Sequence, residues 1–455
     1  MRMVGKTLVG LTVTSLLVTA PAFASTEVDK DLAEMRELVK GLEQRVEAQE
    51  EQIEHQGGLL EDAQKVVRDQ QQEDGTLSGV GEFWQAIDVN MSVAASYAYN
   101  FHNPGSGSPG HAGASLNQGS DGVFYPFHGD HNSFQVDQVW IDIGKKPTDE
   151  SRAGFMFSIL YGNIAAFNAQ GFNYGERRLF ADDSTSDYYV AQAYVSYLAP
   201  LGEGVRVDFG KFATLLGAET PDTSKNWNIT RGNLWTLLQS IDHLGVLTST
   251  SVGPISLAAG VVNQNNVLTS SPDVNSEKSY LGKIGFGAGD FSAAANVLYG
   301  AEGPATIAGF TPVSGNVNER RTGLVDLLAT YSGDAFSAWV NGDYTWMEGT
   351  KSAAWGIAVA GLVPLTDVFS AALRLEYLRD KAAFLPIVTS FNHSEIYGAT
   401  GTLAYELAEN LTLKTEVRYD RVVEEDFGGP EEFITNTSKG DNDQVVGLAQ
   451  VVYAF

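Results

Sequence analysis

The sequence of 455 residues contains no cysteine, and basic residues are scarce. Without cysteine there is no disulfide framework and no thiol chemistry, which suits a chain that crosses an oxidising compartment. After the first 24 residues, no segment holds about 18 consecutive apolar residues, so a transmembrane helix is excluded there. Lys and Arg number 29 against 56 Asp and Glu. The resulting net charge of −27 makes nucleic acid and anionic lipid surfaces poor partners.

The first residues have the composition of an export signal. Arg2 and Lys6 precede an apolar stretch, and Ala22-Phe23-Ala24 matches a cleavage site for signal peptidase. We therefore expect residues 1–24 to be a signal peptide. An exported chain without a membrane-spanning helix can cross a membrane only as a β-barrel.

The last stretch, Val445–Phe455, alternates as a membrane strand should. Every second residue back from Phe455 is apolar or small, which suits a strand face that meets hydrocarbon. Tyr453 and Phe455 then fall where barrels carry an aromatic girdle, and we expect them to anchor the closing strand in the membrane. The alternative is an ordinary edge strand of a soluble sheet.

Residues 25–74 show a heptad repeat instead. Apolar residues recur alternately three and four positions apart, which predicts an α-helical coiled coil in the periplasm. The residues expected to mediate oligomerisation are Leu32, Met35, Val39, Leu42, Val46, Ile53 and Leu60. We expect a homotrimer, with residues 75–82 as a linker; the alternative is a lone solvated helix.

The remainder, residues 83–455, repeats one pattern. An alternating run is followed by a long polar connection, and the next run by a tight turn. Counting from Ile87–Phe101 to the C-terminus gives sixteen runs. Short turns alternating with long loops are typical of outer-membrane barrels. The predicted fold class is all-β: an antiparallel transmembrane β-barrel of about 16 strands, preceded by the N-terminal coiled coil.

Charged residues fall on the face of the runs that points into the barrel. A dry core could not hold them unpaired, whereas a water-filled lumen can. This argues against a soluble sandwich or propeller. The residues expected to line the pore are Arg206, Asp208, Lys211, Arg374, Glu376, Lys414, Glu416 and Arg418.

Four short motifs resemble those of the OmpL-like β-barrel porin family. They are Gly210-Lys-Phe-Ala-Thr-Leu-Leu-Gly-Ala-Glu219, Asn226-Trp-Asn-Ile-Thr230, Asp242-His-Leu-Gly-Val246 and Leu257-Ala-Ala-Gly-Val-Val-Asn263. The resemblance implies an outer-membrane β-barrel with pore activity. It supplies no solute and does not extend to residues 25–80.

The third long connection, Ala218–Asp242, is expected to fold into the lumen. Thr230 would cap a short helix whose apolar side packs on the wall. Glu219, Asp222 and Arg231 would then face Lys211, Arg206 and Asp208 across the constriction. The alternative is an external loop that latches onto a neighbouring subunit.

No constellation of catalytic residues stands out, so we expect no enzyme and no cofactor. Four of the seven histidines, His102, His111, His128 and His131, fall in the first long loop. Their clustering is compatible with a metal site, but a solvated Gly/Ser/His loop is the favoured interpretation. No metal site is therefore predicted.

Together these patterns predict a porin in the outer membrane of a Gram-negative bacterium, with its N-terminal helix in the periplasm. Its expected partners are outer-membrane lipid and lipopolysaccharide, the barrel assembly machinery and small hydrophilic solutes. The acidic net charge favours cations, although inward Arg and Lys could reverse this locally. The alternative is a structural tether or assembly protein with a closed lumen.

Overall fold

The computed structural model describes residues 37, 40, 85–101, 132–163, 165, 188–263, 277–301, 321–381, 393–424 and 443–455. Contacts divide the chain into two units, Met1–Trp84 and Gln85–Phe455. The predicted signal peptide, coiled coil and linker lie outside the described residues, apart from positions 37 and 40. Among the residues that are described, no helix is both long enough and apolar enough to span a membrane.

The second unit is a closed antiparallel barrel in which each strand pairs with its neighbours in sequence. This confirms the predicted sixteen-stranded all-β fold, and each predicted run falls on one strand. The strands are β1 (Asp88–Asn100), β2 (Ser133–Lys145), β3 (Ala153–Tyr161), β4 (Tyr188–Ala199), β5 (Val205–Ala213), β6 (Asp242–Val252), β7 (Ile255–Val262), β8 (Ser279–Ala288), β9 (Phe291–Ala301), β10 (Arg321–Ser332), β11 (Ser337–Met347), β12 (Ala353–Pro364), β13 (Phe369–Lys381), β14 (His393–Ala408), β15 (Leu411–Glu424) and β16 (Asp443–Ala454).

The two faces of each strand meet different surroundings, as β13 illustrates. Leu373 and Leu375 point outward and are 53% and 51% exposed, whereas Arg374 and Glu376 point inward and are buried. Side chains alternate between the faces with a period of two. The apolar residues therefore form the outer surface, and the charged residues lie inside.

The barrel closes where β1 pairs with β16. The amide of Met91 donates to the carbonyl of Phe455 at 3.1 Å, and the amide of Phe455 returns a bond to Met91 O at 3.0 Å. Closure leaves no unpaired edge for other chains to join.

Short turns join the strands at one end of the barrel. The connections at the other end are longer, except for the short one between β11 and β12. The two-residue turn Gly289-Asp290 illustrates the first kind, with φ of +57° at Gly289. A left-handed first residue matches the twist of a hairpin, and glycine adopts it without strain. One long connection, residues 214–241 between β5 and β6, is described throughout.

Candidate functional site: the lumen loop

Residues 214–241, called here the lumen loop, leave the barrel wall and return to the same place. The amide of Thr214 donates to the carbonyl of Ile241 at 3.1 Å, which joins the two ends of the loop. Every residue from Asn228 to His243 is buried. The loop contains a 3-10 turn at Thr223–Lys225 and one helix, α1, at Asn233–Leu238. Its partners are inward-facing side chains of β1, β2 and β11–β15, so it crosses the barrel interior.

Glu416 of β15 binds the irregular backbone at the centre of the loop. Its carboxylate accepts from the amides of Ile229 at 2.6 Å and Thr230 at 3.0 Å, and from Thr230 Oγ1 at 2.5 Å. Thr402 on β14 donates to the same carboxylate at 2.7 Å. A buried amide without a partner is costly. Glu416 therefore satisfies donors that the loop cannot pair within itself.

Two buried arginines bind the carbonyls of the same segment. Arg374 Nη1 donates to the carbonyl of Thr230 at 2.6 Å and to Glu219 Oε1 at 2.6 Å. Arg418 Nη1 donates to the carbonyl of Arg231, also at 2.6 Å. Neighbouring acids on the same strand faces balance both charges: Glu376 for Arg374 at 3.1 Å and Asp420 for Arg418 at 2.8 Å. Lys414 adds a bond to the carbonyl of Asn226 at 2.6 Å.

Helix α1 packs on the barrel wall through leucines and receives its N-terminal cap from another strand. Leu234, Leu237 and Leu238 form an apolar cluster with wall residues, including Ala354, Ala358, Leu378 and Ile396. The residue before the helix is Gly232, and the amide of Leu234 donates to Glu376 Oε1 at 3.1 Å. A carboxylate suits the positive end of a helix. A Cβ at position 232 would collide with that carboxylate, which accounts for glycine there.

The predicted capping role of Thr230 is therefore wrong. Its hydroxyl is taken by Glu416, and Gly232 precedes the first helical turn. The predicted apolar side of the helix is correct. Leu234 and Leu238 pack on the wall in one cluster, and Trp235 packs on it in a second cluster with Trp140 and Leu160.

Asp222 fixes the opposite side of the loop to β1 and β2. Its Oδ1 accepts from Gln138 Nε2 at 2.9 Å, from Ser92 Oγ at 3.2 Å and from the amide of Ser224 at 3.0 Å. Lys225 lies 3.2 Å from Asp222 and 3.6 Å from Asp142. Burial alone raises the pKa of Asp222, but Lys225 and these hydrogen bonds outweigh it and hold that pKa below its usual value. Asp222 therefore acts as a carboxylate.

Two further charged residues of the loop, Arg231 and Glu219, form hydrogen bonds within the loop. Arg231 donates to the carbonyls of Thr220 at 3.0 Å and Ile229 at 3.1 Å, to that of Pro221, and to Thr223 Oγ1 at 2.9 Å. Glu219 accepts from the amide of Gly232 at 2.8 Å as well as from Arg374. Burial raises the pKa of Glu219 above its usual value, and Arg374 offsets part of that rise.

The sequence predicts that the charges of the loop face those of β5. This prediction is wrong, because the charges of both groups pair with other residues. Arg206 pairs with Asp208 on its own strand at 2.8 Å. Lys211 lies 3.6 Å from Asp242 and 4.1 Å from the ring centre of Tyr189. Glu219 pairs with Arg374 of β13 instead. The structure thus places Arg374, Glu376, Lys414, Glu416 and Arg418 beneath the loop; a role in setting the channel's width or charge stays a prediction.

Gln138, Ser92 and Asp142 bind the second side of the loop, and none of them is predicted as a site residue from the sequence. Each lies at an inward position of its strand, so the alternation alone places it in the lumen. That signal does not single them out, because many inward residues are polar and nothing local indicates which ones the loop reaches.

Space remains between the loop and the wall formed by β5–β11. A cavity of about 260 Å³ lies between Asn226 and Trp227 of the loop and Thr330 and Trp339 of the wall. Cavities of about 460 and 360 Å³ lie along β5–β9. No group of three or more His, Asp or Glu side chains with metal-binding geometry occurs within the described ranges. The histidines of the first long loop lie outside them.

Comparison with known proteins identifies the family. Residues 86–455 match the family model described as "Putative beta-barrel porin-2, OmpL-like". No curated protein sequence matches the chain.

Several solved structures share the barrel at low sequence identity. The outer membrane channel DcaP of Acinetobacter baumannii is 13% identical over 81% of this chain and 97% of its own, with a TM-score of 0.49. An anion-selective porin from Comamonas acidovorans is 13% identical over 81% and 99%, with a TM-score of 0.49. OmpT of Vibrio cholerae in its trimer form is 12% identical over 81% and 99%, also with a TM-score of 0.49. The family match spans the whole barrel, so the chain belongs to the OmpL-like β-barrel porin family and is an outer-membrane porin.

Proposed function

We propose that the chain forms a water-filled channel through which small hydrophilic solutes and ions pass by passive diffusion. The observation that carries this proposal is the space left beside the lumen loop, along the wall of β5–β11. That wall carries hydroxyls, amides and charges toward the interior. A barrel of about sixteen strands is wide enough for an aqueous channel. The family supports a channel and not an enzyme.

The lumen loop is the proposed constriction, formed by Glu219, Asp222 and Arg231 on the loop. Arg374, Glu376, Lys414, Glu416 and Arg418 would hold the loop in place. Arg206, Asp208 and Lys211 belong to β5, from which the loop departs. Of these, Arg206 lines a cavity beside the loop. This role is supported by the direction of the loop, which runs into the barrel and binds wall residues there.

Planar-bilayer recording of the purified full-length protein tests the channel. We expect stepwise, long-lived conductance increments that persist at low voltage, and faster swelling of protein-bearing liposomes in small sugars than in large ones. Detergent from a mock purification is the control. Silence in both assays would favour a tether or assembly protein with a closed lumen.

We further propose the organisation that the sequence predicts for the rest of the chain. Residues 1–24 are a signal peptide, 25–74 a periplasmic coiled-coil helix and 75–82 a linker to the barrel at 83–455. The heptad seam supports association of the chains, because a lone helix would leave its apolar stripe in water. We propose three chains because large porins are commonly trimers. The exposed aromatic rings of Tyr453 and Phe455 support contact with outer-membrane lipid and lipopolysaccharide. Insertion would depend on the barrel assembly machinery.

Deletion of residues 26–70 tests the trimer. We expect the barrel still to fold but its native mass to fall, or its oligomer to dissociate at a lower temperature, as measured by light scattering and unboiled gel electrophoresis. Val39→Asp, on the seam, should act in the same direction, whereas Glu37→Asp, off the seam, should not. An unchanged native mass after the deletion would exclude the seam as the oligomer contact.

A further inference from the structure

Lys283, near the middle of β8, is an inward-facing cation. It lies opposite Ala258 of β7 and Asn296 of β9, and its side chain is partly exposed. Within the described part of the chain it makes no hydrogen bond and no ion pair. An ammonium group kept in a lumen without a partner carries its full charge toward whatever passes.

Two other cations that line cavities beside the loop, Arg206 and Lys225, are compensated. Arg206 pairs with Asp208 at 2.8 Å, and Lys225 pairs with Asp222 at 3.2 Å. Both acids are buried, while the cations are partly exposed. Each pair therefore presents the positive end of a dipole to the water beside it. Lys283 adds a net charge to that surface.

Hydroxyl groups and small residues surround Lys283. Ser256 lies opposite Gly285, the inward residue that follows Lys283 on β8. A Cβ at position 285 would collide with Ser256 Oγ and would lie 3.7 Å from Lys283 Cε. The hydroxyl and the lysine stem therefore share the space above this glycine. Ser251 faces Ser256 across the β6–β7 pair.

The space around these groups is large enough for a small solute. Lys283 and Ser256 line both the cavity of about 460 Å³ and that of about 360 Å³. Ser249 and Ser251 are among the other residues that line the first cavity, and Ser251 and Ser292 are among those that line the second. Ammonium and hydroxyl donors together suit an oxyanion, which accepts several hydrogen bonds.

Among the described residues, Asp326 and Glu203 are the acids to weigh against this preference. Asp326 is two strands away on the same row, but it is buried and accepts from Asn296 Nδ2 at 2.5 Å and from Asn341. Glu203 lines the larger cavity at the β4–β5 turn, where it is exposed to solvent. Neither contacts Lys283.

We propose that Lys283, with Ser249, Ser251 and Ser256, forms a weak binding step for small oxyanions, of the carboxylate or phosphate class, and gives the channel a preference for anions. This reverses the expectation from the net charge of −27, because selectivity depends on the charges that line the path. Binding must stay weak for conduction, and one lysine in a wide, wet cavity meets that need. The inference rests on the proposed channel function.

Reversal potentials in a KCl gradient test the proposal on the full-length protein in planar bilayers. The wild type should favour chloride, and millimolar potassium phosphate or acetate should reduce its single-channel chloride current. Lys283→Gln should lower the ratio of anion to cation permeability several-fold and weaken the block by both salts. Lys283→Arg should retain both properties.

Lys146→Gln is the matched control, because it removes the same charge from an exposed turn outside the lumen. It should leave the reversal potential and the block unchanged. Conducting Lys283→Gln channels with the wild-type reversal potential would overturn the proposal, as would an equal shift in Lys146→Gln. Absence of any conductance in the wild type would instead overturn the channel function.

Discussion

Arg374 is wholly buried, yet it carries a charge that water would otherwise solvate. Transferring a charged group out of water costs roughly several kcal/mol of free energy unless hydrogen bonds and opposite charges replace the solvent. Glu219 and Glu376 supply the charges, while Thr230 supplies a carbonyl and Thr400 a hydroxyl oxygen at 3.1 Å. This one side chain thus joins the barrel wall to the loop through its planar, multiply donating head.

Replacing Arg374 with methionine should destabilise the protein by about 3–5 kcal/mol, because two buried carboxylates lose their partner. The midpoint of thermal unfolding in detergent should fall clearly. Arg379→Met is the matched control on the same strand: its pair with Glu395, at 3.7 Å, is partly exposed, and such pairs contribute about 0–1 kcal/mol. Equal losses in the two variants would show that Arg374 has no special role.

At the scale of elements, the lumen loop should govern the width of the channel. Deleting Asp222–Leu234 removes the 3-10 turn, the segment held by Glu416 and the start of α1. The wall charges beneath would then face water, and single-channel conductance should rise markedly. An equal length of chain removed from the connection between β15 and β16 should change conductance less.

The deletion would give a different result if the loop were a contact between subunits. If conductance stayed the same while the oligomer dissociated, the loop would be a latch between subunits, and its role as a constriction would be refuted.

The strands could be predicted because the alternation of apolar and polar residues along each strand reflects the surroundings of its two faces. Leu373 and Leu375 face lipid, whereas Arg374 and Glu376 face inward. Four consecutive residues are therefore enough to show the alternation. The path of the loop could not be predicted in the same way. Glu416 and Thr230 meet across the barrel, and no local pattern links them. For this reason the alternation predicts that these charges face inward, but it does not predict that the loop binds them.

Glycine at 232 illustrates the same limit from the other direction. Glycine is common in loops, so nothing in the sequence distinguishes Gly232 from other loop residues. The reason for it becomes visible only when Glu376, from a distant strand, is placed against the helix start.

For the whole molecule, the junction between β1 and β16 is the point of closure. Phe455 exchanges two backbone bonds with Met91 there, and its ring is 54% exposed on the outside. Phe455→Asp should lower the inserted fraction, since it removes an exposed ring of the interfacial aromatic girdle that anchors the closing strand. Surface labelling of cells measures that fraction.

Phe336→Asp is the control for this variant. Phe336 is 46% exposed and follows a tight turn at the same end of the barrel, but it takes no part in closure. A smaller loss there would assign the effect to the closing strand. Normal surface abundance of Phe455→Asp would contradict the anchoring role.

The same junction determines when the barrel can be completed. Its partners lie at opposite ends of the described barrel sequence, so the last backbone bonds cannot form until the whole segment between them has been exported. The entropy cost of closing a loop grows with its length, so this pairing costs more than any of the hairpins between consecutive strands. Until closure, β1 and β16 each expose a row of free amides and carbonyls, which recruit other chains. A chain stopped short of β16 would keep that open edge, and rapid proteolysis of such fragments is the expected outcome.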